Sequence, residues 1–163
     1  MKHVHTISLL VVDKPGVLVR IALTFARRGY NIDSLVVSPL PNTDFARMTI
    51  AASGEPSGLE QIVKQISKLV DVVRVIDHTG ESAVQVELAL VKVAVDSSTR
   101  ARILDIVREF KAEVLDESHG AMVACIHGSD DRVNAFVKAL PNSAIQEIVC
   151  SGKLLVARGR ELT

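Results

Sequence analysis

Short apolar runs of strand length alternate along this chain with segments whose apolar residues recur every three or four positions. The alternation occurs twice. Residues 3–12, "HVHTISLLVV", are rich in β-branched and apolar residues and predict a strand. Residues 15–28 carry Val17, Leu18, Ile21, Ala22 and Phe25, the stripe of an amphipathic helix. Pro15 suits a helix start, where its missing N–H would be unpaired in any case, and Gly29 suits the left-handed residue after a helix end. "NIDSLVVS" (31–38) and "FARMTIAAS" (45–53) predict two more strands around the turn "PLPNTD". Leu59, Ile62, Val63, Ile66 and Leu69 predict a second helix, and "VVRVIDH" a fourth strand. The order is β-α-β-β-α-β.

The second half repeats it. "VQVELALVKVAV" (84–95) predicts a strand, and Ile103, Leu104, Val107 and Phe110 a helix. "AEVLDES" and "AMVACIHG" predict a hairpin around Gly120. Val133, Phe136, Val137 and Leu140 predict another helix, and "AIQEIVCSG" a last strand. Setting Asp13 against Asp96 aligns the repeats at an offset of roughly 83 residues. The expected class is α+β: two ferredoxin-like βαββαβ domains over residues 1–78 and 84–163, joined by the small, polar linker "TGESA" at 79–83. Each would be an antiparallel four-stranded sheet with helices on one face. The strands are apolar at nearly every position, so the open faces or edges need cover, and homo-oligomerisation is expected to supply it.

Composition narrows the function classes. Nineteen basic residues balance nineteen acidic ones, and they are scattered, which argues against a nucleic-acid binder. No signal peptide or membrane-length apolar run is legible, and two cysteines, Cys125 and Cys150, fit a reducing cytoplasm. Both cysteines fall in apolar strand patterns and read as small buried hydrophobes. His3 and His5 alternate on one strand face but lack a third metal ligand. Phosphate loop, nucleophile elbow and HExxH are all missing, so no catalytic residue, cofactor site or metal site is expected.

The stretch with chemical content is "DKPG". Two readings of it stand side by side: a tight strand-to-helix connection, or a ligand site. In the second reading, free N–H groups at the helix start hold a carboxylate, and Gly16 lets a small ligand approach the backbone. Asp13 accepts an ammonium group, Asn31 offers a donor and an acceptor, and Val17, Leu18 and Ile32 supply apolar surface. Together these describe a free aliphatic amino acid. The second repeat lacks both the Pro-Gly pair and the Asn, so only the first repeat would bind.

"DKPGVLVRIALTFARRGYNIDSLVVSP" resembles the opening of the ACT domain in the small, regulatory subunit of acetolactate synthase (acetohydroxyacid synthase), and "RMTI", "LEQIVKQISKLVDVVRV", "ELALVKV" and "SGKLLVARG" fall where that family has similar blocks. The resemblance implies an N-terminal ACT domain, a C-terminal ACT-like domain and a homodimer joined through the ACT domains. It implies an effector site for valine or another branched-chain amino acid on Asp13, Pro15, Gly16, Val17 and Leu18 of one chain, with Asn31 and Ile32 from the partner or the same chain. It implies a non-catalytic protein that activates a separate large catalytic subunit and confers feedback inhibition on it. Thiamine diphosphate, magnesium and FAD are then expected on the catalytic subunit. Val19 stands where many family members have Ser, and Asp13 where relatives often have Asn. A rival from a different class is a free-standing amino-acid sensor of two ACT repeats acting on another partner.

Overall fold

The computed structural model describes residues 3–80, 83–160 and 163. Glu81 and Ser82 of the expected linker, and the His3 side chain, lie outside the described residues. The first repeat forms β1 (His3–Val12), α1 (Val17–Ala26), β2 (Asn31–Pro39), β3 (Phe45–Gly54), α2 (Pro56–Ile66) and β4 (Val72–Asp77). Its strands lie in the order β2-β3-β1-β4, all neighbours antiparallel. The second repeat forms β5 (Val84–Ala94), α3 (Arg100–Glu109), β6 (Glu113–Ser118), β7 (Ala121–Gly128), α4 (Asp130–Ala139) and β8 (Ile145–Cys150), in the order β6-β7-β5-β8. A short strand that the pattern did not predict, β9 (Leu154–Val156), follows. Gly152, at φ +80°, turns the chain between β8 and β9.

Each sheet buries one face under its own two helices. Ile7, Leu9 and Val11 of β1 pack against Val17, Ile21 and Phe25 of α1 and Leu59, Ile62 and Ile66 of α2. These side chains are at most 3% exposed, and each contributes about 1.5–3 kcal/mol by leaving water. In the second core, Val91 and Val93 meet Ile103, Val107 and Phe136. Phe110 packs edge-on to Phe136 with ring centroids 5.6 Å apart.

Packing divides the chain into two units, Met1–Val84 with Gly152–Thr163, and Gln85–Ser151. Repeat logic assigns 152–163 to the second domain, whereas contacts group them with the first. Gly152 sits against the side chains of Ser34 and Val36 of β2, where an added Cβ would come within 3.1 Å of Val36 Cγ2. Part of the cover that the first sheet needs thus comes from the chain's own last segment. On β1 the second face is also less apolar than the string of hydrophobic letters suggests. Thr6 and Ser8 are buried there, and Ser8 Oγ lies 2.7 Å from His78 Nε2. Cys150 is exposed, because β8 is a sheet edge.

Candidate functional site

The corner between β1 and α1 is built by glycine. Gly16 caps α1 at φ +87°, a left-handed conformation that side chains with a Cβ resist. Pro15 lies one residue before the cap, next to the first turn, and sets the corner that Gly16 completes. A Cβ on Gly16 would meet nothing within 4 Å, so the space over the helix start is open. The cap residue Gly16 has no side chain to bond the helix start, and the first turn of α1 holds no acidic residue. The Val17 N–H donates to Lys14 O at 3.5 Å, and the N–H groups after it, with the helix dipole, can meet an anion at that opening.

A cavity of about 410 Å³ opens at this corner, within the range of small-molecule sites (about 300–1,000 Å³). Asp13, Lys14, Pro15 and Gly16 form its polar rim; Val11, Val37 and Met48 form its apolar wall. Val17 and Leu18 also line it, Val17 buried and Leu18 partly exposed. The Asp13 backbone N–H donates to Asp44 O at 2.8 Å, which leaves its exposed carboxylate at the mouth.

Electrostatics at the corner turn on a residue that the sequence pattern did not single out. Asp71 is 2% exposed and lies just before β4. Lys14 Nζ is 2.5 Å from its carboxylate, and Arg20 of α1 pairs with the other oxygen. The Lys14 hydrogen bond, reinforced by the charge of Arg20, holds the Asp71 carboxyl below the usual carboxylate range. Two cations meet the one buried carboxylate, and with the exposed Asp13 at the rim the corner presents both signs of charge. The bridge also ties the end of β1 and the body of α1 to the approach of β4. Its only sequence signal is one acid within "KLVDVV".

At the equivalent corner of the second unit a side chain of the chain itself already bonds the turn before α3. Asp96 Oδ1 accepts from the backbone N–H of Ser98 and of Thr99, each at 2.8 Å, and from both hydroxyls. These bonds, the Ser98 hydroxyl foremost, lower its pKa to about 2. The chain supplies its own carboxylate where the first unit leaves an opening.

Asp13, Pro15, Gly16, Val17 and Leu18 are brought together; Asn31 and Ile32 are not added to them. Val37 lines the cavity, and Asn31 lies six residues away at the other end of β2. At about 3.3 Å per residue that is about 20 Å. A valine-sized ligand does not span this distance, so the same-chain version of the site is not realised. Asn31 instead borders a second cleft with Tyr30, Ser53 and Gly58.

His5 is buried, its Nδ1 3.3 Å from Thr79 Oγ1 and its Nε2 3.2 Å from Gly54 O. Among the described residues no three His, Cys, Asp or Glu side chains converge as metal ligands, and no helix is long and apolar enough to cross a membrane.

Comparison with known proteins bears on both units. Residues 7–74 match the family described as AHAS small subunit-like ACT domain, and residues 86–159 the family described as small subunit of acetolactate synthase. The chain is 43% identical over 155 residues to the acetolactate synthase small subunit of Mycolicibacterium smegmatis, covering 95% of this chain and 91% of that one. It is 38% identical over 157 residues to a probable acetolactate synthase small subunit of Archaeoglobus fulgidus, covering 96% and 98%. The crystal structure of the acetolactate synthase small subunit from Thermotoga maritima superimposes with a TM-score of 0.86 at 35% identity, covering 98% and 99%.

Proposed function

The chain belongs to the acetolactate synthase small-subunit family, and from that premise we propose that it is a non-catalytic regulatory subunit whose β1–α1 corner binds valine or a similar branched-chain amino acid. Bound effector confers feedback inhibition on a separate catalytic subunit, which the chain otherwise activates. The thiamine diphosphate, magnesium and FAD chemistry belongs in this reading to the catalytic subunit, and the complex works in the cytoplasm.

The observation that carries the reading is the open, uncapped start of α1 over an apolar-walled cavity. The ligand carboxylate meets the α1 N–H groups, with Lys14 and Arg20 close by. Asp13 takes the ammonium, and Val11, Val37 and Met48 pack the branched side chain. A longer polar or charged side chain would leave its polar end unpaired on that wall.

Asn31 enters through a second copy. β2 is an edge strand with a free side, and apart from an irregularity near Asp33 it has no lysine or interior proline to discourage pairing. Two β2 edges paired antiparallel about their midpoint, Leu35, set Asn31 of the partner subunit opposite Pro39, beside the corner. The effector then bridges two chains, so it binds the assembled arrangement more tightly than the separated one. That difference in affinity is what regulation requires.

The test is an assay of the catalytic subunit alone, with this chain, and with this chain plus valine. Activation by the chain and loss of the gain on adding valine are expected. Unchanged activity in all three mixtures would sink the proposal.

A further inference from the structure

Asn31 is held by an acid that no part of the effector reading uses. Its Nδ2 donates to Asp33 Oδ1 at 2.8 Å, and Ser53 Oγ donates to Asp33 Oδ2. The ladder between β2 and β3 pairs Asn31 with Ser53 and Ile32 with Ala52, then resumes with Ser34 opposite Ala51. Asp33 is therefore the extra residue of a β-bulge. Bulges re-aim a side chain, and this one carries the Asp33 carboxylate to where it joins Asn31 on its own strand to Ser53 on the next.

The chemistry of the contact fixes the amide. An ionised carboxylate only accepts hydrogen bonds, so the end of the Asn31 amide that faces it must be the NH₂ group. The carbonyl oxygen is then turned away from Asp33, with one N–H left over. An unrestrained amide would offer either end.

We infer that Asp33 is a positioning residue: it locks the Asn31 amide so that its carbonyl oxygen is presented to the ammonium of the amino-acid effector. The inference rests on the reading that Asn31 of the partner subunit completes the corner site. It gives a reason for the bulge and for Ser53, whose hydroxyl holds the second carboxylate oxygen and keeps Asp33 from swinging to solvent. It also divides the recognition of the ammonium between the chains: Asp13 at the corner of one supplies the charge, and the locked amide of the other supplies a directed carbonyl oxygen.

Titration of the full-length dimer with valine, by calorimetry, tests it on four proteins: wild type, Asp33→Asn, Asn31→Ala and the double variant. Asp33→Asn lets the two amides pair either way round, so affinity should fall by about fivefold to tenfold. Asn31→Ala should fall at least as far. In the Asn31→Ala background, Asp33→Asn should then change affinity less than twofold, because it has no amide left to orient. Ser53→Ala, a milder change, should weaken binding in the same direction, with the melting temperature of every variant within a few degrees of wild type. If Asp33→Asn weakens binding equally with and without Asn31, the acid acts through its charge or the fold, and the inference is overturned. If Asn31→Ala weakens binding and Asp33→Asn does not, only the positioning role fails. If Asn31→Ala binds valine like wild type, the two-chain site fails with it.

Discussion

A Cβ at Gly16 would meet no atom within 4 Å, yet the backbone there runs at φ +87°. Space and conformation therefore have separate costs, and two substitutions separate them. Gly16→Ala imposes the left-handed strain, about 1–2 kcal/mol, and little else. Gly16→Asp imposes the same strain and adds a carboxylate where the ligand carboxylate should sit. Like charges about 4 Å apart repel by about 1–4 kcal/mol between water and the protein surface. Valine affinity should thus fall at least about fivefold further for Gly16→Asp than for Gly16→Ala, while both still activate the catalytic subunit. Equal affinities in calorimetry would show that no ligand carboxylate lies at the corner. Gly16 was legible in the sequence because glycine between a strand and a helix has few uses. Asp71 was not, because a lone acid ahead of a strand reads as solvated surface until folding brings Lys14 and Arg20 onto it.

At the scale of elements, hydrophobic period was a reliable guide wherever one face is buried. It placed all four helices and eight of the nine strands of the two sheets, because a stripe such as Val17, Ile21 and Phe25 has only one way to leave water. It missed β9, whose three residues are too short to show a period. It also missed how β2 is anchored. The Tyr30 ring, just before β2, lies between Gly54 at the end of β3 and Gly58 in α2, and its hydroxyl donates to Glu55 O. A Cβ at Gly58 would come within 2.8 Å of Tyr30 Cζ and Cε2, and one at Gly54 would overlap the opposite ring edge. Moving the ring away from one glycine presses it on the other. In an unhindered helix Gly→Ala stabilises by about 1 kcal/mol, whereas overpacking costs about 1–3 kcal/mol. Gly58→Ala should therefore destabilise the wild-type protein. In a Tyr30→Ala background the same change should become neutral or stabilising. Urea unfolding of the four proteins reads this sign reversal, and its absence would mean that Tyr30 does not fill the slot.

At the scale of the whole molecule, the proposed site is divided along β2: the corner is at one end and Asn31 at the other. The sequence offered both halves but not their separation, since distance along a strand emerges only once the register is known. A two-chain site makes ligand binding depend on assembly, and therefore on protein concentration. The contact that can be perturbed without touching the corner is on α1, which packs beside β2 and leaves Val19 and Leu23 exposed one turn apart, at 60% and 45%. A charge there interrupts an apolar stripe that pairing of β2 edges would cover, while Ile21 and Phe25 keep the helix docked on its own core. Leu23→Glu should thus shift the protein to monomers at micromolar concentration in sedimentation equilibrium, with its circular dichroism spectrum unchanged. Its affinity for valine should fall in step with the lost dimer and recover as the protein is concentrated. Wild-type protein diluted until it dissociates should lose affinity in the same way. A folded monomer that binds valine as tightly as the dimer would place the whole site within one chain and refute the bridging role of Asn31.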